Sequence, residues 1–196
     1  MLDWPPRLPL PTVIVPHSVS AGPTWLATDR LHPAPSAREL DWLNEQGSLT
    51  RRLTALGAGR FAVEPLCEGW QLLRDDECAA LGAPSGSEGW AREVYLHGAG
   101  QPWVFARSVA TRVALEREPF ALAALGNRSL GHLLFSDPAF AREPIEACRY
   151  PAELLPVAVR EAGLWGRRSL FRRAGLGVLV AEVFLPALWR ADAARR

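Results

Sequence analysis

"WAREVYLHGAGQPWVFAR", residues Trp90 to Arg107, decides how the chain folds. β-Branched and aromatic residues recur on both sides of a glycine-rich turn, which predicts two strands joined as a hairpin and therefore an antiparallel sheet. Successive side chains of a strand point to opposite faces. Trp90, Arg92, Val94 and Leu96 then share one face, and Ala91, Glu93, Tyr95 and His97 the other. After the turn the same count groups Trp103, Phe105 and Arg107 and repeats the pattern. Each strand thus carries an arginine among large apolar side chains.

Outward from the hairpin, Arg60 to Leu73 reads as a preceding strand. Further strands are expected near Ile145, from Trp165 to Arg172 and from Leu176 to Leu185. Before them, "SARE" sets Ser36 three residues ahead of Glu39, a capping box for a helix running to Gln46. Ser48 caps a second helix with Leu49, Leu53 and Leu56 on one side, and Gly57 ends it. "PFALAALG" (Pro119–Gly126) and "SLGHLLFSDP" (capped by Ser129) supply two more helical pieces. Helices in runs beside hairpin strands predict a single α+β domain with helices packed against a mostly antiparallel sheet. Residues 1–35 are proline-rich and form an extended arm, in which Val13 to Val15 offer an edge strand; the domain proper is expected over residues 36–196.

Composition excludes several chemistries. All 22 basic residues are arginine, which removes Schiff-base chemistry and the phosphate-binding lysine of a P-loop; in "GNRSLGH", His132 and Leu133 occupy the Lys and Ser/Thr positions of that motif. The net charge of +1 leaves no electrostatic footprint for nucleic acid or anionic lipid. The 3 cysteines lack C-x-x-C spacing and the 4 histidines lack H-E-x-x-H, so no metal is expected. The apolar N-terminal stretch is broken by five prolines and begins near Asp3, unlike a signal peptide or a membrane span, so a cytoplasmic protein without stable membrane insertion is expected.

Glu182 stands in "LGVLVAEVFLPAL", a strand apolar on both faces, with Val178, Val180 and Phe184 on its own side. A buried carboxylate or guanidinium without a partner costs several kcal/mol, so Arg92 and Glu182 each require one. Two readings stay open from the residues alone. The pair satisfies itself or other side chains, or a ligand with a carboxylate at one end and a hydroxyl at the other completes the site. The helix starts at Leu49 and Leu130 present free backbone N–H groups that either serve ordinary capping or help to bind a carboxylate.

At these residues the chain resembles the chorismate pyruvate-lyase family. The stretches that carry the resemblance are "LDWLNEQGSLTRRL", "WAREVYLHGAGQPWVFARSV", "LGNRSLGHLLFSDP", "EAGLWGRRSLFR" and "LVAEVFLPA", in the family's order across most of Leu40 to Leu188. Leu49 stands where the best-known member has methionine, a change that a backbone contact survives. "YPAELLPVAVRE" is longer than the family's usual form, and the arm has no counterpart.

The resemblance implies a six-stranded antiparallel sheet with a buried, water-poor pocket beneath flap segments, and conversion of chorismate to 4-hydroxybenzoate and pyruvate at the head of ubiquinone biosynthesis. Arg92 would hold the ring carboxylate together with the backbone amides of Leu49 and Leu130. Glu182 would meet the ring hydroxyl. For Arg107 two readings stay open: it faces the departing pyruvyl carboxylate, or it makes a salt bridge or strand-edge contact. No cofactor is implied, and a monomer is the default. Two other readings share the fold: an effector-binding domain of GntR-type regulators, for which a 35-residue arm is too short to add a DNA-binding domain, and a carrier that retains 4-hydroxybenzoate.

Overall fold

The computed structural model describes residues 22–118, 125–126 and 128–195. Within them lie seven strands, β1 (Phe61–Leu72), β2 (Glu88–Gly98), β3 (Gln101–Thr111), β4 (Ala141–Arg142), β5 (Glu146–Arg149), β6 (Trp165–Arg173) and β7 (Leu176–Phe184). Six helices accompany them: α1 (Ala37–Leu43), α2 (Leu49–Leu56), α3 (Asp75–Leu81), α4 (Arg112–Arg117), α5 (Leu130–Ser136) and α6 (Pro186–Ala193). Every ladder is antiparallel, in the order β1-β2-β3-β7-β6-β4, with β5 also on β6.

The six-stranded expectation is corrected in one respect. β4 pairs with Phe171 and Arg172 of β6, and β5 with Trp165 to Arg168, so the two short strands lie end to end along one edge. Pro144 between them has no N–H to give to the ladder. Seven strands therefore occupy six positions.

The β2–β3 hairpin closes through Ala99 (φ 51°) and Gly100 (φ 80°), two consecutive positive φ values as a tight twisted turn requires. Its register runs Gly98↔Gln101 and His97↔Pro102, then jumps to Leu96↔Val104. Trp103 is the extra residue of this bulge, and it packs in the core of Val94, Leu96 and Val104. Past the bulge, Phe105 lies opposite Tyr95 and Arg107 opposite Glu93. The expected grouping of Trp103, Phe105 and Arg107 on one face, repeating that of Arg92, is therefore wrong: Arg107 faces away from Arg92.

One sheet face carries Val94, Val104, Ala106 and Phe184 and is covered by α1, α2 and α6 through Trp42, Leu53 and Leu188. Toward its other end, Leu130 and Leu134 of α5 pack on Phe171 and Val178. The opposite face carries Tyr95, Phe105 and Val183, covered by Trp25, Tyr150 and Leu155, while Cys78 of α3 packs on Val109 and Leu179. Side chains this well buried each contribute roughly 1.5–3 kcal/mol.

α1 ends at Leu43 instead of Gln46, where the Asn44 N–H donates to Leu40 O. Within the expected arm, Gly22 to Pro35 lies across the domain: Leu26 bridges Ala147, and Trp25 Nε1 donates to Asp76 Oδ2 at 3.0 Å. The "YPAELLPVAVRE" stretch forms two 3-10 turns, Ala152–Leu154 and Val157–Val159. Val13 to Val15, and all but Leu125 and Gly126 of the expected Pro119–Gly126 helix, lie outside the described residues.

Candidate active site

Two cross-strand rows on the α2 and α5 side form the floor of a cavity. Arg92, Ser108, Val180 and Ser169 are successive partners across β2, β3, β7 and β6. Val94, Ala106, Glu182 and Arg167 make the adjacent row. With strands about 4.8 Å apart and about 3.4 Å per residue, the Cα atoms of Arg92 and Glu182 lie about 12 Å apart diagonally. Small side chains at Ala106 and Ser108, on β3 between them, keep the floor low.

The roof is made by the starts of α2 and α5. Ser48 Oγ accepts from Arg51 N and Ser129 Oγ from His132 N, so both N-termini are capped as their sequences predict. Thr50 Oγ1 and Ser129 Oγ are 2.6 Å apart, which ties the two helix starts together. Leu49, Leu130, Arg92 and Glu182, all expected site residues, line one cavity.

Arg92 is 2% exposed. Its Nη2 donates to Gly126 O at 2.6 Å and to Arg128 O at 3.3 Å, and Glu68 Oε2 lies 3.5 Å from Nε. Burial lowers its pKa, and the Glu68 charge offsets this only in part. Glu182 does not pair with Arg92. It accepts from Arg167 Nε at 2.8 Å, and Arg167 Nη1 donates to the carbonyls of Trp42 and Glu45, each at 3.0 Å.

A third guanidinium lines the same cavity. Arg142 Nε donates to Ser169 Oγ at 2.9 Å, and Nη1 to Glu45 O and Gln46 O at 3.2 and 3.0 Å. Its carbon lies 5.6 and 5.5 Å from the Phe135 and Phe171 ring centroids. Burial first, and then the Arg167 charge, pull its pKa down to about 10.

Arg107 lies outside this cavity, so its place beside the departing group is corrected, and the salt bridge, the other expectation, is the one observed. On the other sheet face Nε and Nη2 donate to Glu77 Oε1 and Oε2 at 2.6 and 3.1 Å, and Nη1 to Glu93 Oε1 at 2.9 Å. Arg74 Nη2 adds a contact to Glu77 at 2.8 Å. Burial alone would raise the Glu77 carboxyl, but Arg107 and Arg74 outweigh it and hold the carboxyl below its ordinary value.

Arg142, Arg167, Ser108, Ser169 and Thr50 were not read from the sequence as site residues. "GRRS" did contain a signal: consecutive strand residues face opposite ways, so one of Arg167 and Arg168 had to enter the cavity-side layer. Arg168 takes the other side, with Nε 2.8 Å from Glu146 Oε2 and Nη1 3.2 Å from Asp76 O. Arg142 gave no such signal, because its strand is two residues long.

Among the lining residues, three cations face one carboxylate, which suits an anionic ligand of more than one charge. Among the described residues no group of three or more His, Cys, Asp or Glu side chains is arranged to hold a metal, and no helix is long and apolar enough to cross a membrane.

A family model described as chorismate lyase matches residues 20–194. A probable chorismate pyruvate-lyase of Pseudomonas aeruginosa strain UCBPP-PA14 is 68% identical over 165 residues, 84% of this chain and 92% of the relative. One from Pseudomonas fluorescens strain Pf-5 is 58% identical over 183 residues, 92% of this chain and 98% of the relative. Among solved structures, the effector domain of PhnF from Mycobacterium smegmatis is similar with a TM-score of 0.48 at 14% identity, covering 73% of this chain and 91% of that one. Since the match runs through α1, α2, the whole sheet and the cavity they enclose, the chain belongs to the chorismate lyase family.

Proposed function

We propose that this protein is a cofactor-independent chorismate pyruvate-lyase, converting chorismate to 4-hydroxybenzoate and pyruvate as the first step of ubiquinone biosynthesis. The observation that carries the reading is the cavity with a buried guanidinium, Arg92, at one end and a single lining carboxylate, Glu182, toward the other. The family match and the relatives named for this reaction support it.

Chorismate carries its own driving force. The enolpyruvyl ether leaves one ring carbon, the hydrogen leaves the neighbouring carbon that bears the hydroxyl, and the ring becomes aromatic. The protein therefore needs mainly to orient the ring, exclude water and stabilise charge on the leaving group. In this proposal Arg92 holds the ring carboxylate with the backbone amides of Leu49 and Leu130. Glu182 accepts the ring hydroxyl and is the lining carboxylate able to move a proton. The catalytic unit is residues 36–196 with the 22–35 segment laid across it. It acts as a cytoplasmic monomer on small molecules, without nucleic acid or a stable place in the membrane.

The test is to incubate purified protein with chorismate, follow pyruvate with a coupled assay and 4-hydroxybenzoate by absorbance, and titrate 4-hydroxybenzoate by calorimetry. Stoichiometric pyruvate and 4-hydroxybenzoate are expected. Binding without pyruvate release would overturn the enzyme reading and favour a binding module or carrier.

A further inference from the structure

The cavity holds more positive charge than Arg92 and the Arg167–Glu182 pair account for. Arg167 is committed to Glu182 and to two backbone carbonyls. Arg142 is placed differently. Its Nε and Nη1 donate only to neutral oxygens, those of Ser169, Glu45 and Gln46. Among the described residues no carboxylate stands at ion-pair distance from it, and the more distant charges of Glu182 and Glu45 offset its burial and the Arg167 charge only in part. A guanidinium drawn from water without a counter-ion is unfavourable, and an arriving anion relieves it.

The position of this unpaired cation is fixed by a shared partner. Arg142 Nη1 and Arg167 Nη1 both donate to Glu45 O, at 3.2 and 3.0 Å. The two guanidiniums are therefore neighbours, and Arg142 belongs to the Glu182 end of the cavity, away from Arg92. Chorismate has a matching asymmetry. Its hydroxyl stands across the ring from the ring carboxylate, and the enolpyruvyl ether sits on the carbon beside the hydroxyl. A ring held by its carboxylate at Arg92 thus carries its second carboxylate toward Glu182.

We propose that Arg142 binds the carboxylate of the departing enolpyruvyl group, the role the sequence suggested for Arg107. This rests on the chorismate lyase reading. In the elimination the ether C–O bond breaks with its electron pair going to the enolpyruvate oxygen, the ring loses the proton of the adjacent carbon, and enolpyruvate takes up a proton to become pyruvate. Arg142 stands beside the fragment on which negative charge develops. It also separates substrate from product, since 4-hydroxybenzoate has no second carboxylate.

The experiment compares Arg142→Gln, Arg142→Lys and Arg92→Gln for turnover of chorismate and for calorimetric affinity toward 4-hydroxybenzoate. Losing one charge-assisted bond predicts a fall of about tenfold or more in kcat/KM for Arg142→Gln, with the 4-hydroxybenzoate Kd changed by less than about twofold. Arg142→Lys recovers part of the loss, and Arg92→Gln weakens both. Unchanged kcat/KM in Arg142→Gln, or equal weakening of chorismate and 4-hydroxybenzoate, overturns the assignment while the lyase reading stands. Absence of pyruvate release by the wild type overturns that reading and the assignment with it. Should Arg142→Gln not fold, Arg142→Lys takes its place: a fall in kcat/KM with an unchanged 4-hydroxybenzoate Kd supports the assignment, and unchanged kcat/KM or equal weakening of both ligands overturns it.

Discussion

Arg167 stands directly across from Glu182 in the β6–β7 ladder, and its Nε donates to Glu182 Oε2 at 2.8 Å. The cation is the hidden member of the pair, 1% exposed against 16% for the carboxylate. Arg167 therefore anchors Glu182 from behind: both line the cavity, and the carboxylate is the more open of the two.

For Glu182 this means two separable losses on substitution. Glu182→Gln keeps an oxygen for Arg167 but cannot take a proton, so turnover falls by about 10² or more. Glu182→Ala also leaves Arg167 buried without an anion and lowers stability by about 3–5 kcal/mol. Urea denaturation alongside pyruvate release checks both; a Glu182→Ala variant as stable as the wild type contradicts the buried pair.

Arg92→Ala should fold, because the partners it leaves are two backbone carbonyls and the partly exposed Glu68, at a cost of about 1–3 kcal/mol. Pyruvate release is almost abolished, and 4-hydroxybenzoate affinity drops at least about tenfold. Calorimetry on the folded variant provides the measurement.

Arg107→Met isolates the other sheet face. Glu77, 2% exposed, would keep only Arg74 as a charged partner, and stability should fall by about 3–5 kcal/mol. A shift of the urea midpoint reads this directly, and a midpoint equal to that of the wild type would contradict the buried network.

Glu77 also sets an acid limit. Its carboxyl is held below the ordinary 4.5, so the unfolded chain takes up the proton first as pH falls. Its stabilisation is complete above about pH 4.5 and is lost as pH falls toward the lower value of the folded state. Urea midpoints between pH 7 and pH 3 should decline more gently for Glu77→Gln than for the wild type, from a lower plateau.

The three cysteines offer a solvent probe. Cys67 is exposed, whereas Cys78 and Cys148 are buried, and burial raises both buried thiols, Cys148 to about 12. A thiol reagent at pH 8 should modify one cysteine in the native protein and three in urea, as counted by mass spectrometry.

Legibility in the sequence followed locality. Capping residues Ser36, Ser48 and Ser129 act on N–H groups three residues away, and each was readable. Arg92 and Glu182 were found because a charge inside an apolar alternation must be buried with a partner. α6 went unread although Pro186 at its start was a helix signal, and α3 follows Arg74 as its N-cap, a residue that does not normally cap. What alternation could not supply was register. A single bulged residue reverses every later side chain, which is why Arg107 was assigned to the wrong face, and the meetings of Arg167 with Glu182 and of Arg142 with Ser169 depend on pairings 15 and 27 residues apart.

The bulge at Trp103 makes the sheet a partition between two charge systems. Arg92, Arg142, Arg167 and Glu182 gather on one side, Arg74, Glu77, Glu93 and Arg107 on the other, and the charges that shift Arg142 and Glu77 each come from their own side. Substitutions in the second group can thus trade stability up or down while the electrostatics that ligand meets stay as they are, leaving the fold adjustable to its surroundings independently of its site.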